Sequence, residues 1–364
     1  MKLLVFDGNS IINRAYYAIK GNLSAPDGMP TGAIYGFLKL YFKYFEMSQP
    51  DMVAVAFDMR AKTFRHKMYD GYKAQRKGMP PELAQQLQPL KDLLSAMGYK
   101  ILEATGWEAD DILGTLAGAC GEDDFCYIAT GDRDSLQLVR DNVNVVLAST
   151  KMGKSVTTVY DRDKIKEVYG VEPEQLIDIK AIQGDTSDNI PGVAGIGEKG
   201  AQELISKFGS VDFIYENIET IDVKAGIRAK LEASRDNAFL SKKLGTICLD
   251  APIERNIESY SIKKPDVVKA SNLLMSLEMS KLLSRLNFDE EEIVSKSDAE
   301  SVKLYEVTDT DEFIKSLKET GKAYFTTKFN NNQKFFLYIF TRIYYYICIK
   351  GGVYMEKWID THAH

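Results

Sequence analysis

The side chains best suited to chemistry are carboxylates, and they arrive in clusters: Asp7, Asp58, Glu108 with Asp110 and Asp111, Asp132 with Asp134, and Asp185 with Asp188. Most stand where an apolar run or a tight turn has just ended. Acids gathered this closely repel one another unless protons or cations neutralise them, and carboxylate oxygens are what hard divalent ions such as Mg²⁺ select. The chemistry implied is hydrolysis of a phosphoryl group.

Those acids need elements to aim them. Leu3 to Phe6 runs into Asp7, Met52 to Phe57 into Asp58, and Phe125 to Thr130 into Gly131 and Asp132. Each run is short, apolar and rich in β-branched or aromatic residues, as a strand covered on both faces should be. Helical patterns at Gly32 to Phe45 and Leu83 to Met97 lie between them, which predicts an α/β fold with a parallel sheet. Ligands bind beyond the carboxyl ends of such strands, so acids from separate segments should converge there. Single aspartates often cap turns or helices. Successive ones, joined by Glu108-Ala109-Asp110-Asp111 and Gly131-Asp132-Arg133-Asp134, exceed what capping requires. Glu108 and Asp111 should share a face at the start of the helix through Ile112 to Ala117, near its positive dipole end.

Composition narrows the function classes. The 364 residues include four cysteines with no paired metal spacing or disulfide framework, and Lys2 to Phe6 leads straight into a strand rather than a signal peptide, so a reducing cytoplasm is expected. Of three histidines, only His66 precedes the last three residues, which excludes a histidine triad or a histidine-rich zinc site. His66 is read as solvated or phosphate-near rather than as a base.

The net charge of −6 argues against a nucleic-acid partner until its distribution is considered. Arg60, Lys62, Arg65, Lys67, Lys73, Arg76 and Lys77 face only Asp70 in their stretch, with Phe64, Tyr69 and Tyr72 interleaved, the footprint of a strand held by phosphates and base stacking. Tyr16 and Tyr17, beyond Arg14, are either stacking residues or core aromatics. From Ile190 to Ala201, glycines including Gly192, Gly195 and Gly197 precede Lys199 and a helical run, Gln202 to Phe208. A helix start behind such a turn offers free N–H groups to a phosphate, the pattern of a helix-hairpin-helix reader of duplex backbone.

Phe6-Asp7-Gly8, Ala56-Phe57-Asp58, Gly71-Tyr72-Lys73-Ala74-Gln75-Arg76, Glu108-Ala109-Asp110-Asp111, Gly131-Asp132-Arg133-Asp134 and Gly184 through Lys199 together resemble the 5'-3' exonuclease domain of bacterial DNA polymerase I, in the flap endonuclease superfamily. The resemblance covers about residues 1 to 290. It implies a PIN-like or resolvase-like, mostly parallel sheet flanked by helices over 1–172, with a basic arch near 60–90, then a helical helix-three-turn-helix domain over 173–290. It further implies that Asp7, Asp58, Glu108, Asp110 and Asp111 hold a first Mg²⁺, while Asp132, Asp134, Asp185 and Asp188 hold or support a second. Mn²⁺ could substitute. Lys73 and Arg76 match the catalytic basic pair that meets the scissile phosphate. Arg14, Tyr72, Gly195, Gly197 and Lys199 become DNA contacts, with K⁺ at the helix-three-turn-helix site. The substrate class is DNA with 5' flaps, nicks or 5' ends, including an RNA primer on DNA, recognised by structure rather than sequence by a monomer that needs no membrane. A catalytically silent junction binder and a PIN-type ribonuclease are the alternatives.

Past residue 290 the character changes. Residues 291–301 read as a polar linker, and 302–330 resemble the opening of the 3'-5' exonuclease-like module of the same polymerase, with no polymerase region after it. Phe335 to Ile349 is apolar but interrupted, too short for a membrane span. Met355 to His364 resembles the first strand of a TatD-type hydrolase, so 331–364 is expected to be a non-native tail.

Overall fold

The computed structural model describes residues 1–19, 23–151 and 154–286, and four short strands beyond them. The linker at 291–301, most of 302–330 and the tail at 355–364 lie outside the described residues. The chain forms two compact units, Met1–Ser297 and Asp298–His364.

In chain order the first unit runs β1 (Lys2–Asp7), α1 (Gly8–Ala18), α2 (Gly32–Ser48), β2 (Met52–Ala56), α3 (Phe64–Met68), α4 (Pro81–Ala96), β3 (Lys100–Leu102), α5 (Ala109–Ala119), β4 (Phe125–Thr130), β5 (Val143–Lys151), β6 (Lys154–Tyr160) and α6 (Arg162–Tyr169). The helical part continues with α7 (Leu176–Gln183), α8 (Glu198–Phe208), α9 (Val211–Glu216), α10 (Ala225–Ala233), α11 (Arg235–Gly245) and α12 (Val267–Ser276). The sheet order is β3-β2-β1-β4-β5-β6, parallel except for the antiparallel β5–β6 pair.

Alternation within the apolar runs explains why both faces are covered. Leu4, Phe6, Val53 and Val55 pack with Ile34, Phe37 and Leu90 of α2 and α4, whereas Leu3, Val5, Met52 and Ala54 pack with Ile112, Leu113 and Leu116 of α5. Fully burying one such aliphatic side chain is worth about 1.5–3 kcal/mol, so strands apolar on both faces belong in the middle of the stack. The chain leaves β1 toward β2 and β3 on one side and returns to β4 on the other. β1 and β4 therefore flank a topological switch point, where a crevice opens at their carboxyl ends.

α7, α8, α9 and α10 surround a core of their own built on Ile182, Val193, Ile205 and Leu231. The segment after α11 returns to the sheet. Tyr260 joins the cluster around Met52 and Ala54, Ser261 bridges to Met52, and Ala270 and Leu274 of α12 join the cluster on the opposite face of the sheet.

The basic stretch also differs from the single element expected. It folds as the short α3 followed by turns through Tyr72 to Arg76, with Lys73 at φ +53°. Tyr72 forces that compaction, because its ring is buried against Ile190 and Leu244.

In the second unit, β7 (Tyr324–Lys328) pairs antiparallel with β8 (Lys334–Tyr338), and β9 (Ile347–Ile349) with β10 (Gly352–Tyr354). The apolar run at 335–349 supplies parts of β8 and β9. Among the described residues no helix is long and apolar enough to cross a membrane.

Candidate active site

Strand ends and helix starts aim the acids. Asp7 closes β1 and caps α1: one carboxylate oxygen accepts the Ser10 N–H at 2.9 Å and the other the Thr130 hydroxyl at 2.8 Å. Asp58, past the end of β2, accepts the Ala109 N–H at 2.7 Å and so ties its loop to the start of α5. Glu108 caps α5 and Asp110 sits in its first turn. Asp132, just beyond β4, accepts the Asp134 N–H at 2.9 Å at the head of a 3₁₀ segment, Arg133–Leu138. Asp185 begins a turn closed by paired backbone bonds with Ile190, at 2.9 and 2.8 Å.

These segments enclose a cavity of about 880 Å³ lined by Asp7, Asp58, Glu108, Asp110, Asp132, Asp134 and Asp188, together with Lys73, Arg76 and Arg14. Asp185 lines an adjoining recess that shares Asp132 and Asp134. The oxygens of Asp134, Asp185 and Asp188 lie within 4.8 Å of one another.

Charge divides this cleft in two. Around Asp7 and Asp110 the protein supplies hydroxyls and N–H groups, and among the described residues no cation ion-pairs either carboxylate. Burial, only partly offset by the Ser10 N–H, pushes the Asp7 carboxyl up to about 7 from its usual 3.8, with Asp58 and Asp132 adding repulsion. Burial and then the charges of Asp7 and Asp132 hold Asp110 well above its ordinary value. Asp58 opens onto the cleft, yet the protein on its other sides raises it too, against the pull of the Ala109 N–H.

The other half carries its own cations. The Lys73 ammonium donates to Glu108 at 2.9 Å and lies 3.9 Å from Asp188, which Arg76 also bonds. Burial works to raise Glu108, but Lys73 and Arg65 outweigh it and hold the carboxyl below the usual range. Lys180 bridges Asp134 and Asp185, the latter at 2.9 Å. Asp185 falls to about 2 because the Ser187 hydroxyl and Lys180 outweigh its burial, whereas Asp134 stays up at about 6, its burial only partly relieved by Lys180.

Asp111 departs from the expectation and does not reach the cleft. Its side chain is fully buried and both oxygens are committed to Arg65, at 2.7 and 2.8 Å, while also accepting the Glu108 and Cys248 N–H groups at 3.1 and 2.9 Å. One position on from Asp110, about 100° of helix rotation has turned it toward α11 and the segment after it. Tyr72, expected to meet DNA, is likewise buried and donates its hydroxyl to Glu108 at 3.0 Å. Arg14 lines the cleft and donates to the Gly131 carbonyl at 3.1 Å. Of the paired tyrosines, Tyr16 packs against the core, whereas Tyr17 is 71% exposed at the cleft wall. His66 forms a capping box with Thr63 and does not line the cleft. Gly195, at φ +78°, and Gly197, which caps α8, build the turn between α7 and α8, with Lys199 exposed in the first turn beyond it.

Arg65, Lys180 and Thr130 belong to the site but carried no sequence signal as members of it. Lys180 lies in an ordinary-looking helical stretch, and Thr130 reads only as the last residue of a strand. Arg65 was visible as one of several basic residues, with nothing to mark it as the buried one.

Comparison with known proteins agrees with this architecture. Residues 2–170 match the family model of the 5'-3' exonuclease N-terminal resolvase-like domain, and residues 171–268 that of the 5'-3' exonuclease C-terminal SAM fold. A 5'-3' exonuclease of Aquifex aeolicus is 37% identical over 286 residues, 78% of this chain and 95% of that protein. DNA polymerase I of Caldicellulosiruptor bescii is 44% identical over 291 residues, 80% of this chain, and the chain spans about a third (34%) of that relative's length. A solved structure of T5 5'-exonuclease with divalent zinc ions bound shares the fold, with a TM-score of 0.55 at 23% identity, covering 79% of this chain and 99% of that one. The chain belongs to the 5'-3' exonuclease family.

Proposed function

We propose that this chain hydrolyses phosphodiesters of DNA at 5' ends, nicks and 5' flaps, RNA primers on DNA included, with two Mg²⁺ ions that Mn²⁺ can replace. The observation that carries the reading is the set of carboxylates that among the described residues no cation ion-pairs, Asp7, Asp58, Asp110 and Asp132, gathered at the carboxyl ends of β1, β2 and β4 beside Lys73 and Arg76. The donor set fits the metal, because it is all carboxylate and three of its members, Asp7, Asp58 and Asp110, are driven toward protonation, first by burial and then by neighbouring acids. Asp7, Asp58, Glu108, Asp110 and Asp132 would hold the first ion, with Asp134, Asp185 and Asp188 around the second; Asp111 drops out of the set.

When bound, such a pair activates water near neutral pH and stabilises the attacking and leaving oxygens of an in-line displacement. The residues of the chain do the rest. Lys73 and Arg76, released from Glu108 and Asp188, steady the charge on the phosphoryl oxygens. Arg14 directs the strand along the cleft wall, while Gly195, Gly197 and Lys199 present backbone N–H groups and an ammonium to a duplex phosphate at the start of α8. We place K⁺ at the carbonyls of this turn, a monomer as the working unit and the cytoplasm as its setting.

The test is cleavage of a 5'-flap DNA by the full chain and by Asp110→Asn, in Mg²⁺ and in EDTA. Mg²⁺-dependent cleavage lost in the variant is the expected result. Binding without cleavage would favour the silent junction binder, and preference for single-stranded RNA the PIN-type ribonuclease.

A further inference from the structure

The half-cleft formed by Asp134, Asp185 and Asp188 already contains a cation, and the protein supplies it. Lys180 reaches in from α7 with its side chain only 9% exposed and bonds Asp134 and Asp185 at once. Its stem is held against Gly245 of α11, where an added Cβ would stand 3.3 Å from the lysine Cδ, so the glycine leaves room for the chain to pass. Asp188, the third member of the group, is bonded by Arg76. A side chain fixed at both its stem and its head is placed rather than merely attracted.

We propose that Lys180 is a built-in occupant of the second divalent-cation position, and that an ion binds there only by displacing its ammonium. The inference rests on the metal-dependent reading above and adds a positioning residue to it. A divalent ion and an ammonium a few ångströms apart repel strongly in a partly desolvated site, so both cannot sit among the same three carboxylates. The first position has Lys73 only at its edge, on Glu108, and among the described residues no ammonium bonds Asp7 or Asp110 themselves, so it should fill first. The second should fill later and more weakly. Once displaced, Lys180 remains on the wall of the cleft it lines, where an entering phosphate is a new partner for it. Occupation of the second position and capture of substrate phosphate are thereby coupled in the same direction.

The experiment is Mn²⁺ titration of the full chain by calorimetry at pH 8, where protons do not replace the lost ammonium, for wild type, Lys180→Met, Lys180→Arg and Asp110→Asn. Wild type should show a tight and a weak class of site. Lys180→Met should tighten the weak class by about tenfold or more while leaving the tight class unchanged, and Lys180→Arg should keep the weak class weak. In EDTA, Lys180→Met should melt below wild type, and Mn²⁺ should raise its midpoint by more than it raises that of wild type. Circular dichroism checks the fold, and Lys180→Gln serves where the methionine variant does not fold. A weak class that is unchanged or weakened in Lys180→Met and Lys180→Gln overturns the proposal, because the lysine would then be organising the ligands rather than competing with the ion. No Mn²⁺ binding by wild type, or binding indifferent to Asp110→Asn, would instead remove the metal-dependent reading itself.

Discussion

Asp110 and Asp111 are neighbours on one helix, and replacing each should have opposite consequences. Asp111→Ala removes the carboxylate that pairs with Arg65, whose side chain is 3% exposed, and leaves the guanidinium buried with the Leu244 and Thr246 carbonyls at 2.8 and 2.9 Å and Glu108 at 3.5 Å. Breaking one side of a buried pair costs about 3–5 kcal/mol. The Glu108 and Cys248 N–H groups lose their acceptor as well, and each unsatisfied group costs about 1–3 kcal/mol, although losses at contacting groups do not add. With Arg65 still holding two carbonyls, about 4 kcal/mol is the expected sum, a fall in melting midpoint on the order of 10 °C. Asp110→Asn instead deletes a buried negative charge repelled by Asp7 and Asp132, so in EDTA it should melt at or slightly above wild type. Urea denaturation followed by circular dichroism in EDTA and in Mg²⁺ separates the two. Asp111→Ala should lose stability yet keep the upward shift on adding Mg²⁺, and Asp110→Asn the reverse. If Asp111→Ala unfolds like wild type in EDTA but no longer responds to Mg²⁺, the assignment of Asp111 to Arg65 is wrong.

Other expectations follow from the same site. Asp7 is raised from 3.8 to about 7, so its contribution to stability is full below about pH 4 and is lost as pH climbs through 7; melting midpoints in EDTA should fall between about pH 5 and pH 8, and saturating Mg²⁺ should remove the fall, whereas a midpoint rising over that range contradicts the buried acid. Tyr72→Phe removes a hydroxyl bonded to Glu108 and should cost about 1 kcal/mol with duplex affinity unchanged; weaker duplex binding measured by fluorescence anisotropy would return the tyrosine to the DNA surface. Gly192→Ala places a Cβ 2.4 Å from the Gly184 nitrogen at φ +62°, so the turn between α7 and α8 cannot close as it does; duplex affinity should drop several-fold while the tight class of Mn²⁺ site persists, and full affinity would show the turn to be dispensable.

Much of the frame was legible because the central strands are apolar on both faces and end in aspartate. Leu3 to Phe6, Met52 to Phe57 and Phe125 to Thr130 became β1, β2 and β4 within a residue or so, and the helices begun at Gly32 and near Leu83 became α2 and α4. β5 and β6 are less legible although Val143 to Leu147 and Val156 to Tyr160 are rich in β-branched residues, since they pair antiparallel and the one acid that follows β6, Asp161, caps α6. What sequence spacing could not resolve was direction. Glu108, Asp110 and Asp111 look alike on paper, but a helix rotates by about 100° per residue, which carries Asp111 away from Asp110 and into Arg65. The same blindness hid Lys180, whose partners lie on the segment after β4 and just past the end of its own helix. Basic residues between 60 and 77 suggested one charged surface, yet Arg65 turned inward because α11 and the residues after it offered carbonyls and Asp111 a carboxylate.

The return of residues 257–286 onto the sheet has a consequence for biogenesis. β1 and β2, among the first strands to emerge during synthesis, have part of their apolar covering supplied by Tyr260 and by Leu274 of α12, which come almost three hundred residues' worth of translation into the chain. Until that stretch arrives, the earliest strands have a gap in their shelter, and a message cut short before it would release a half-covered sheet fit for chaperones and proteases rather than a smaller nuclease. The shelter of the central sheet is therefore completed late, by a helix that contributes nothing to the lining of the cleft.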